Sequence, residues 1–364
     1  MNRSRQLLLT LDYEIFGNGS GDVRQHMVEP TEQMARICER YEVPLTIFFE
    51  VEEYLGFCRN ARDLEQALGY DPARLIREQV RSLVRHGHDV QLHLHPQWYG
   101  ARFASGHWVL RPEMVTVDHL FGTIEETVSY IAERKALLEE LIGGVSERRV
   151  SAYRAGAFSA RPGGKLLAAL AQNDIQFDSS VVRGLFCQTG DYCLDYRDVK
   201  TRKRLWPVSD DVIREDPDGL VWEVPIHSVL ARRYQQLTFS RLRAKFSGNI
   251  PKTQQKQMVN RFFRPRQPID TVKALFEPVP LKLDFHNQTS AEFCRAIASA
   301  EQEDDLGPVD VLVAIGHSKE HVDDRAFEAL VKSISQKPGI EIGTFGTIAQ
   351  RLASSSRSLQ LSHS

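Results

Sequence analysis

Short apolar runs alternate along most of the chain with segments whose apolar residues recur every three or four positions. The first kind predicts buried strands, and the second predicts amphipathic helices. Predicted strands cover residues 7–11, 44–49, 90–95, 150–154, 175–179, 220–227, 311–315 and 340–344, and predicted helices cover residues 30–41, 72–86, 124–142, 163–173, 290–301 and 325–337. Because alternating strands and helices form parallel sheets covered by helices, we predict an α/β fold, a distorted (β/α) barrel of seven or eight units that resembles a TIM barrel.

The length and composition are compatible with one large domain. The chain has 364 residues, of which 42% are hydrophobic, so it can bury a large core. We predict a single catalytic domain over residues 1–350. The serine-rich end, residues 351–364, is expected to be a disordered tail.

One segment departs from the βα pattern. Between Pro225 and Ile269 there is no Asp or Glu but there are ten Lys and Arg residues. We predict a basic insertion over about 229–280, which is either a solvated face or an arm for substrate phosphates or a membrane surface. It carries no signature of a nucleic-acid-binding module, and the net charge of the chain is only −2, so no nucleic-acid partner is expected.

The cysteines and the N-terminal residues indicate in which cellular compartment the protein is expected. The five cysteines are scattered and form no Cys-x-x-Cys pair, which indicates reduced thiols rather than a disulfide framework. The first residues lack a secretory h-region, and no run approaches the length of a membrane-spanning helix. We therefore expect a cytoplasmic protein with no transmembrane segment, in which peripheral membrane contact remains an option.

Two histidines mark the first candidate site. In the segment 90–95, Val90, Leu92 and Leu94 alternate with Gln91, His93 and His95, so both histidines lie on one face of the predicted strand. Pro96 ends the strand, which places the pair at its carboxyl end, where α/β proteins build their active sites. Two such imidazoles can bind one metal ion. They can also be ordinary exposed or hydrogen-bonded histidines.

Two carboxylates form a second cluster. Asp12 and Glu14 share a face at the end of the leucine-rich strand 7–11. Taken alone they are ordinary loop acids, but burying them requires partners or a metal ion. Together with His93 and His95 they supply the oxygen and nitrogen ligands of a catalytic zinc-like site.

Further polar residues follow other predicted strands. Arg154 can orient a carboxylate such as Asp12. Asp178 is either a turn residue or the partner of a catalytic histidine, and His317 is suited to general acid catalysis because its pKa lies near the working pH. His227 also ends a strand and is expected to line the pocket.

These motifs, in this order, resemble the polysaccharide deacetylase superfamily, also called the NodB-homology domain or carbohydrate esterase family 4. The resemblance covers about residues 6–320. It rests on Thr-Leu-Asp-Tyr-Glu at 10–14, Gly-His-Asp-Val at 87–90 followed by His93, Arg-Ala-Gly-Ala-Phe at 154–158, Asp178, and Gly-His at 316–317. The His-Leu-His-Pro-Gln-Trp segment at 93–98 resembles the WbmS-like subgroup from O-antigen loci.

The resemblance implies a role for each matching residue. Asp12 corresponds to the catalytic base, Arg154 to the residue that positions it, and His317 with Asp178 to the general acid and its support. Glu14, His93 and His95 are the implied metal ligands. Two family ligand positions hold other residues here, which are Tyr13 and Gln97.

The implied activity is removal of an N-acyl group, in this family an acetyl group, from a sugar or glycan precursor of cell-surface polysaccharide. The implied cofactor is a divalent metal, Zn²⁺ or alternatively Co²⁺, Ni²⁺ or Mn²⁺. The expected partner is an N-acylated sugar or glycan precursor, for which the basic insertion suggests a diphosphate-linked form. Expected substrate contacts come from Tyr13, Trp98, Phe158 and His227. The alternatives are another C–N hydrolase of the same fold that acts on a small amide, or a metal-free sugar-binding homologue.

Overall fold

The computed structural model describes residues 5–143, 149–189, 192–232, 276–300 and 307–362. The strands are β1 Arg5–Tyr13, β2 Thr46–Glu50, β3 Asp89–Leu94, β4 Arg102–Ala104, β5 His107–Val109, β6 Ala152–Ala155, β7 Phe177–Asp178, β8 Phe186–Thr189, β9 Tyr192–Asp195, β10 Trp206–Val208, β11 Val221–Glu223, β12 Ser228–Arg232, β13 Pro278–Lys282, β14 Val311–His317 and β15 Ile340–Gly343. The helices are α1 Glu29–Arg40, α2 Val51–Arg59, α3 Ala61–Leu68, α4 Pro72–Arg85, α5 Ile124–Ile142, α6 Gly164–Gln172, α7 Ser290–Ser299, α8 Asp324–Ser335 and α9 Phe345–Ser362.

A curled nine-stranded sheet forms the centre of the protein. Its strands follow the order β10-β11-β7-β6-β3-β2-β1-β14, β15 also pairs with β1, and all these pairings are parallel except that of β10 with β11. Parallel bridges join Ile226 to Val182 on one side and to Val313 of β14 on the other, which brings the two ends of the curl together. The predicted distorted (β/α) barrel is therefore confirmed.

Strand β1 shows how the sequence pattern produces this arrangement. All nine of its residues are buried. Leu7, Leu9 and Leu11 pack in the cluster under the helices, whereas Leu8 packs in the cluster inside the barrel. Since side chains alternate between the faces of a strand, Asp12 also points inward, at the carboxyl end of the strand.

Strand register then gathers the candidate residues at one edge. Asp12 pairs in register with His317 of β14, and His93 pairs both with Glu50 of β2 and with Arg154 of β6. Residues in register on parallel strands lie side by side. Five neighbouring strands thus bring their polar side chains to the carboxyl edge of the barrel.

The predicted insertion is anchored by a pair of strands. β12 and β13 pair antiparallel, from Ser228 opposite Lys282 to Arg232 opposite Pro278. Residues 233–275, which carry most of the predicted basic arm of 229–280, lie outside the described residues. Over the part of the chain that the structure describes, no helix has the length and apolar character needed to cross a membrane.

Part of the segment 351–364, for which the sequence predicts a disordered tail, lies in a helix. Helix α9 begins at Phe345 and continues to Ser362, so most of that segment is helical. The apolar side chains of Phe345 and Ile348 are buried inside the barrel, and Leu352 packs against the same cluster. These contacts, at helical spacing, anchor the helix that the serine content alone did not suggest.

Phe345 provides a test of this packing. Its ring centroid lies 5.7 Å from that of Phe48 and 5.5 Å from that of Phe177, and the side chain is fully buried. We expect Phe345→Ala to lower the free energy of unfolding by about 3–5 kcal/mol, the usual cost of truncating a buried phenylalanine. Denaturant unfolding measures this change.

The matched control is Leu220→Ala, because Leu220 is 76% exposed. We expect this control to stay within about 0.5 kcal/mol of the wild type. A comparable loss of stability in both variants would contradict the packing described for α9.

Candidate active site

A buried ion pair joins Asp12 to Arg154. Arg154 Nη1 donates to Asp12 Oδ1 at 2.6 Å, and the guanidinium is fully buried. The remaining donors of Arg154 bond to Thr10 Oγ1 at 3.0 Å, to the Ser179 carbonyl at 2.9 Å and to Ser179 Oγ at 3.2 Å. Its charged end also lies 4.0 Å from the centre of the Phe48 ring. Arg154 is thus fixed on every side, and it fixes one oxygen of Asp12.

His317 lies on the other side of Asp12. Its Nε2 is 3.6 Å from Asp12 Oδ2, the oxygen that does not face Arg154. Burial raises the pKa of Asp12, but the charges of Arg154, His93 and His317 outweigh burial and hold this pKa below its usual value. Asp12 is therefore ionised at neutral pH.

Glu14, His93 and His95 form a compact group at the same edge. Glu14 Oε2 lies 3.3 Å from His93 Nε2 and 2.6 Å from His95 Nε2. One ligand atom from each of the three residues lies within 4.8 Å of the others. Within the described ranges, this is the one group of three or more His, Cys, Asp or Glu residues arranged in this way.

The hydrogen bonds of this group fit a divalent cation. His93 Nδ1 lies 2.8 Å from the Arg154 carbonyl oxygen, which only accepts, so Nδ1 carries the proton. In the neutral ring Nε2 is then an acceptor that faces the carboxylate of Glu14. Two acceptors that face each other require a proton or a cation between them, and one carboxylate with two imidazoles is a common zinc ligand set.

Gly156 allows His95 to occupy its position. A Cβ atom at residue 156 would lie 2.5 Å from Cγ of the His95 ring, a distance that the ring does not tolerate. The role of Gly156 is therefore steric, since a side chain at this position would collide with the His95 ring. The group that this glycine admits is the imidazole of His95.

Two buried glutamates hold the backbone on which the group depends. Glu50 Oε1 accepts the backbone N–H of His95 at 2.7 Å, and Glu53 Oε1 accepts that of Ile15 at 2.9 Å. Burial raises the pKa of Glu53 to about 8 and that of Glu50 well above its usual value. The sequence analysis missed both, although Glu50 ends a strand just as Asp12 does.

Lys319 is a third residue that the sequence analysis missed. Its Nζ donates to Glu14 Oε1 at 2.6 Å and to the Ile15 carbonyl at 3.0 Å. Burial raises the pKa of Glu14, but the charges of Lys319 and His95 outweigh it and hold this pKa well below the usual range. The signal in the sequence was the position of Lys319, two residues after His317 at a strand end.

The structure does not bring Asp178 beside His317, the residue that it is expected to support. Phe177 packs inside the barrel, so the next side chain in the strand points to the opposite face. The carboxyl group of Asp178 accepts from Ser180 Oγ at 2.6 Å and shares a hydrogen bond with Glu223. Burial raises the pKa of Asp178, and it raises the pKa of Glu223 well above its usual value. The two buried acids therefore share a proton.

Glu320 takes the place beside His317. Glu320 Oε2 lies 3.3 Å from His317 Nδ1, on the side of the ring away from Asp12. Burial lowers the pKa of His317, but the carboxylates of Glu320 and Asp12 outweigh it and raise this pKa above its usual value. His317 thus holds a proton more firmly than a free imidazole.

Three of the four residues expected to contact substrate point elsewhere. Tyr13 is stacked on Phe49 and donates to Gln79 Oε1 at 2.6 Å, because it faces the helices. Trp98 is 1% exposed, inside an aromatic cluster.

His227 follows Ile226, which packs inside the barrel, so the imidazole faces outward. Burial and the charges of Arg204, Arg183 and Arg5 lower its pKa to about 3. Phe158 is the exception among the four, because it is half-buried in the loop that follows β6.

Comparisons with known proteins support the fold. The sequence matches no protein-family model and no curated protein sequence. The structure is similar to a 4-alpha-glucanotransferase from Thermococcus litoralis, with a TM-score of 0.50 and 11% identity over 96% of this chain and 40% of that chain.

Two further similarities cover both chains more fully. One structure, named "putative polysaccharide deacetylase" from Mycobacterium smegmatis, has a TM-score of 0.48 and 12% identity over 98% of this chain and 92% of that chain. The Puue allantoinase has a TM-score of 0.45 and 11% identity over 97% of this chain and 91% of that chain. At 11% identity, the similarity to the glucanotransferase shows the fold alone, and the function has to be argued from the site.

Proposed function

We propose that this protein is a metal-dependent hydrolase of the polysaccharide deacetylase superfamily that removes an N-acyl group from a sugar. One observation carries the proposal. A carboxylate and two imidazoles form a ligand set directly beside an aspartate held by a buried arginine, and a histidine with a raised pKa faces that aspartate. A ligand set, a base and an acid on one edge are what amide hydrolysis requires.

Glu14, His93 and His95 would hold the cation. A bound divalent metal supplies a Lewis acid, which lowers the pKa of water and polarises an amide carbonyl. The hydrogen bond from His93 Nδ1 to the Arg154 carbonyl orients its ring. Gly156 and Glu50 fix the ring and the backbone of His95 in the same way.

Asp12 would act as the base. Arg154 occupies Oδ1 at 2.6 Å, so the proton of the attacking water would go to Oδ2, the oxygen that faces His317. Arg154 keeps Asp12 ionised before the attack and holds its carboxyl group in one orientation. The different roles of the two Asp12 oxygens follow from the geometry of the ion pair between Asp12 and Arg154.

His317 would protonate the leaving amine. Loss of the acyl group breaks a C–N bond, and the amine leaves far more readily once it has accepted a proton. Glu320 on Nδ1 supports the protonated ring, so that Nε2, on the side of Asp12, carries the proton to be transferred.

The proposed substrate is an N-acetylated sugar of a cell-surface glycan precursor, in a WbmS-like role in O-antigen synthesis. A precursor carried on a nucleotide or lipid diphosphate would suit a cytoplasmic enzyme with a basic insertion. The decisive assay is acetate release from a panel of N-acetyl sugars, with a small ureide as comparison. Release from the ureide alone would instead favour a small-amide hydrolase.

The first prediction concerns the metal. We expect purified protein to retain about one divalent ion per chain after dialysis, as a three-residue catalytic site does. Glu14→Gln, His93→Ala and His95→Ala should each abolish retention, and Gly156→Ala should weaken it because the added methyl group displaces the His95 ring. Elemental analysis measures the content.

His107→Ala is the matched control, since His107 is exposed on the β4–β5 hairpin. Full metal content in both His93→Ala and His95→Ala would show that the ligand set is wrong.

The second prediction concerns the base. Asp12→Asn preserves shape and an acceptor for Arg154 but removes the basic oxygen. Turnover should fall by about 10²–10⁴ while metal content is retained, since that is the usual contribution of general acid–base catalysis. The exposed Asp218→Asn serves as control. Near-normal turnover in metal-loaded Asp12→Asn protein would exclude Asp12 as the base.

The third prediction concerns pH. Because the reaction needs protonated His317, activity should decline as pH rises through the pKa of His317. Glu320 is one of the groups that raise this pKa, so Glu320→Gln should lower it and move the alkaline limb of the kcat profile to lower pH. Glu320→Asp should shift the limb less.

The acidic limb of the kcat profile should reflect the pKa of Asp12, the base. This limb should stay in place in both variants, because Glu320 is not among the neighbours that set the pKa of Asp12. An alkaline limb that does not move in Glu320→Gln would show that Glu320 does not support the acid.

A further inference from the structure

We propose that Lys282 and the ring of Phe158 form a subsite for a negatively charged substituent, a carboxylate or a phosphate, on the sugar whose amide is cleaved. The inference rests on the proposed function for the identity of the sugar. Its physical basis is a half-buried lysine whose ammonium group stands over an aromatic ring in the loop that follows β6.

The position of Lys282 follows from the strand pair at the root of the insertion. Lys282 is the last residue of β13 and pairs with Ser228 of β12. Its Nζ lies 4.6 Å from the centre of the Phe158 ring. Two residues further on, Asp284 forms a parallel bridge with Ile315 of β14, which places this end of β13 beside the strand that carries His317.

Two observations place the pair at the reacting groups. Phe158 lies two residues after Gly156, against which the His95 ring packs. On the opposite wall, the charge of Lys282 contributes to lowering the pKa of Glu320, the neighbour of His317. The ammonium group therefore lies near both the loop after β6 and the loop after β14.

The backbone that carries the Phe158 ring is held in place by its surroundings. Ala157 and Phe158 both have left-handed backbone conformations, with φ of 50° and 63°, which non-glycine residues adopt only where the surroundings impose them. The Tyr196 hydroxyl donates to the Phe158 carbonyl at 2.7 Å, and Tyr196 is itself buried. Such a ring offers a rigid face for the apolar side of a sugar.

The charge of Lys282 has no carboxylate within ion-pair distance among the described residues, and the aromatic ring is its contact there. A half-buried ammonium is incompletely hydrated, and an aromatic face compensates only part of the lost hydration. An anion on the ligand would complete its coordination. A sugar stacked on Phe158 brings such a substituent within reach of Nζ, which gives the site a preference for acidic over neutral sugars.

The test compares matched substrates in metal-loaded, full-length protein. N-acetylglucosamine is compared with its 6-phosphate and with the corresponding uronic acid, and KM and kcat are measured for each. We expect Lys282→Met to raise KM for the acidic sugars about tenfold, the effect of losing one charged hydrogen bond. It should leave KM for the neutral sugar and kcat for all three unchanged.

Lys282→Arg should restore KM for the acidic sugars, and Lys332→Met, at an exposed lysine of α8, should change nothing. A larger rise for the phosphate than for the uronic acid identifies phosphate as the preferred group, and the reverse identifies carboxylate. An equal rise in KM for neutral and acidic sugars would overturn the subsite. A shifted alkaline limb of kcat in Lys282→Met would also overturn it, because Lys282 would then act through Glu320.

Binding separates this inference from the proposed function. Calorimetry with glucosamine 6-phosphate, which has no amide to cleave, reports the subsite alone. Binding that is lost in Lys282→Met supports the subsite even if no acetate is released from any sugar. Acetate release without any preference for acidic sugars in the wild type would overturn the subsite and leave the proposed function intact.

Discussion

The constraint on which the site depends is the burial of the Arg154 guanidinium inside the barrel. A charge removed from water in this way is tolerated only if it is paired and its donors are satisfied, and breaking such a pair costs about 3–5 kcal/mol. Arg154 therefore requires Asp12 on β1, the carbonyl of Ser179 after β7 and the face of Phe48 on β2. These contacts hold β1, β2 and β7 at fixed positions around the guanidinium group. The ion pair with Asp12 also orients the proposed base and keeps it ionised.

The neighbouring carboxylates obey the same rule, because a buried negative charge also needs compensating partners. Glu14 is a buried carboxylate that receives Lys319 on one oxygen and the two histidines on the other. Glu50 receives a backbone N–H group instead, and its raised pKa reflects that weaker compensation. The edge of the barrel thus contains acids in two states, those ionised by nearby cations and those that burial protonates. Catalysis would use the first kind, while the second kind supports the backbone.

Much of the fold and part of the site could be predicted from the sequence, because both depend on local periodicity. Alternation along β1 and β3 fixed which side chains share a face, and Pro96 marked a strand end. Parallel strands align their carboxyl ends, so polar residues at those ends meet. That reasoning brought Asp12 and His93 to the same edge. The same reasoning did not identify Glu320. This residue lies in a short 3₁₀ turn after β14, where the alternation of a strand no longer applies.

The sequence by itself therefore determined the main strands and helices of the barrel and part of the set of polar residues at its carboxyl edge. The tertiary structure alone decided which of these residues touch. Asp178 ends a strand as Asp12 does, yet β7 presents Phe177 to the interior and turns Asp178 toward Glu223. Trp98 adjoins the histidine motif, yet it packs under the loops against Trp108. Periodicity states which side chains share a face, but the curl of the sheet and the packing of its helices decide which face meets the substrate.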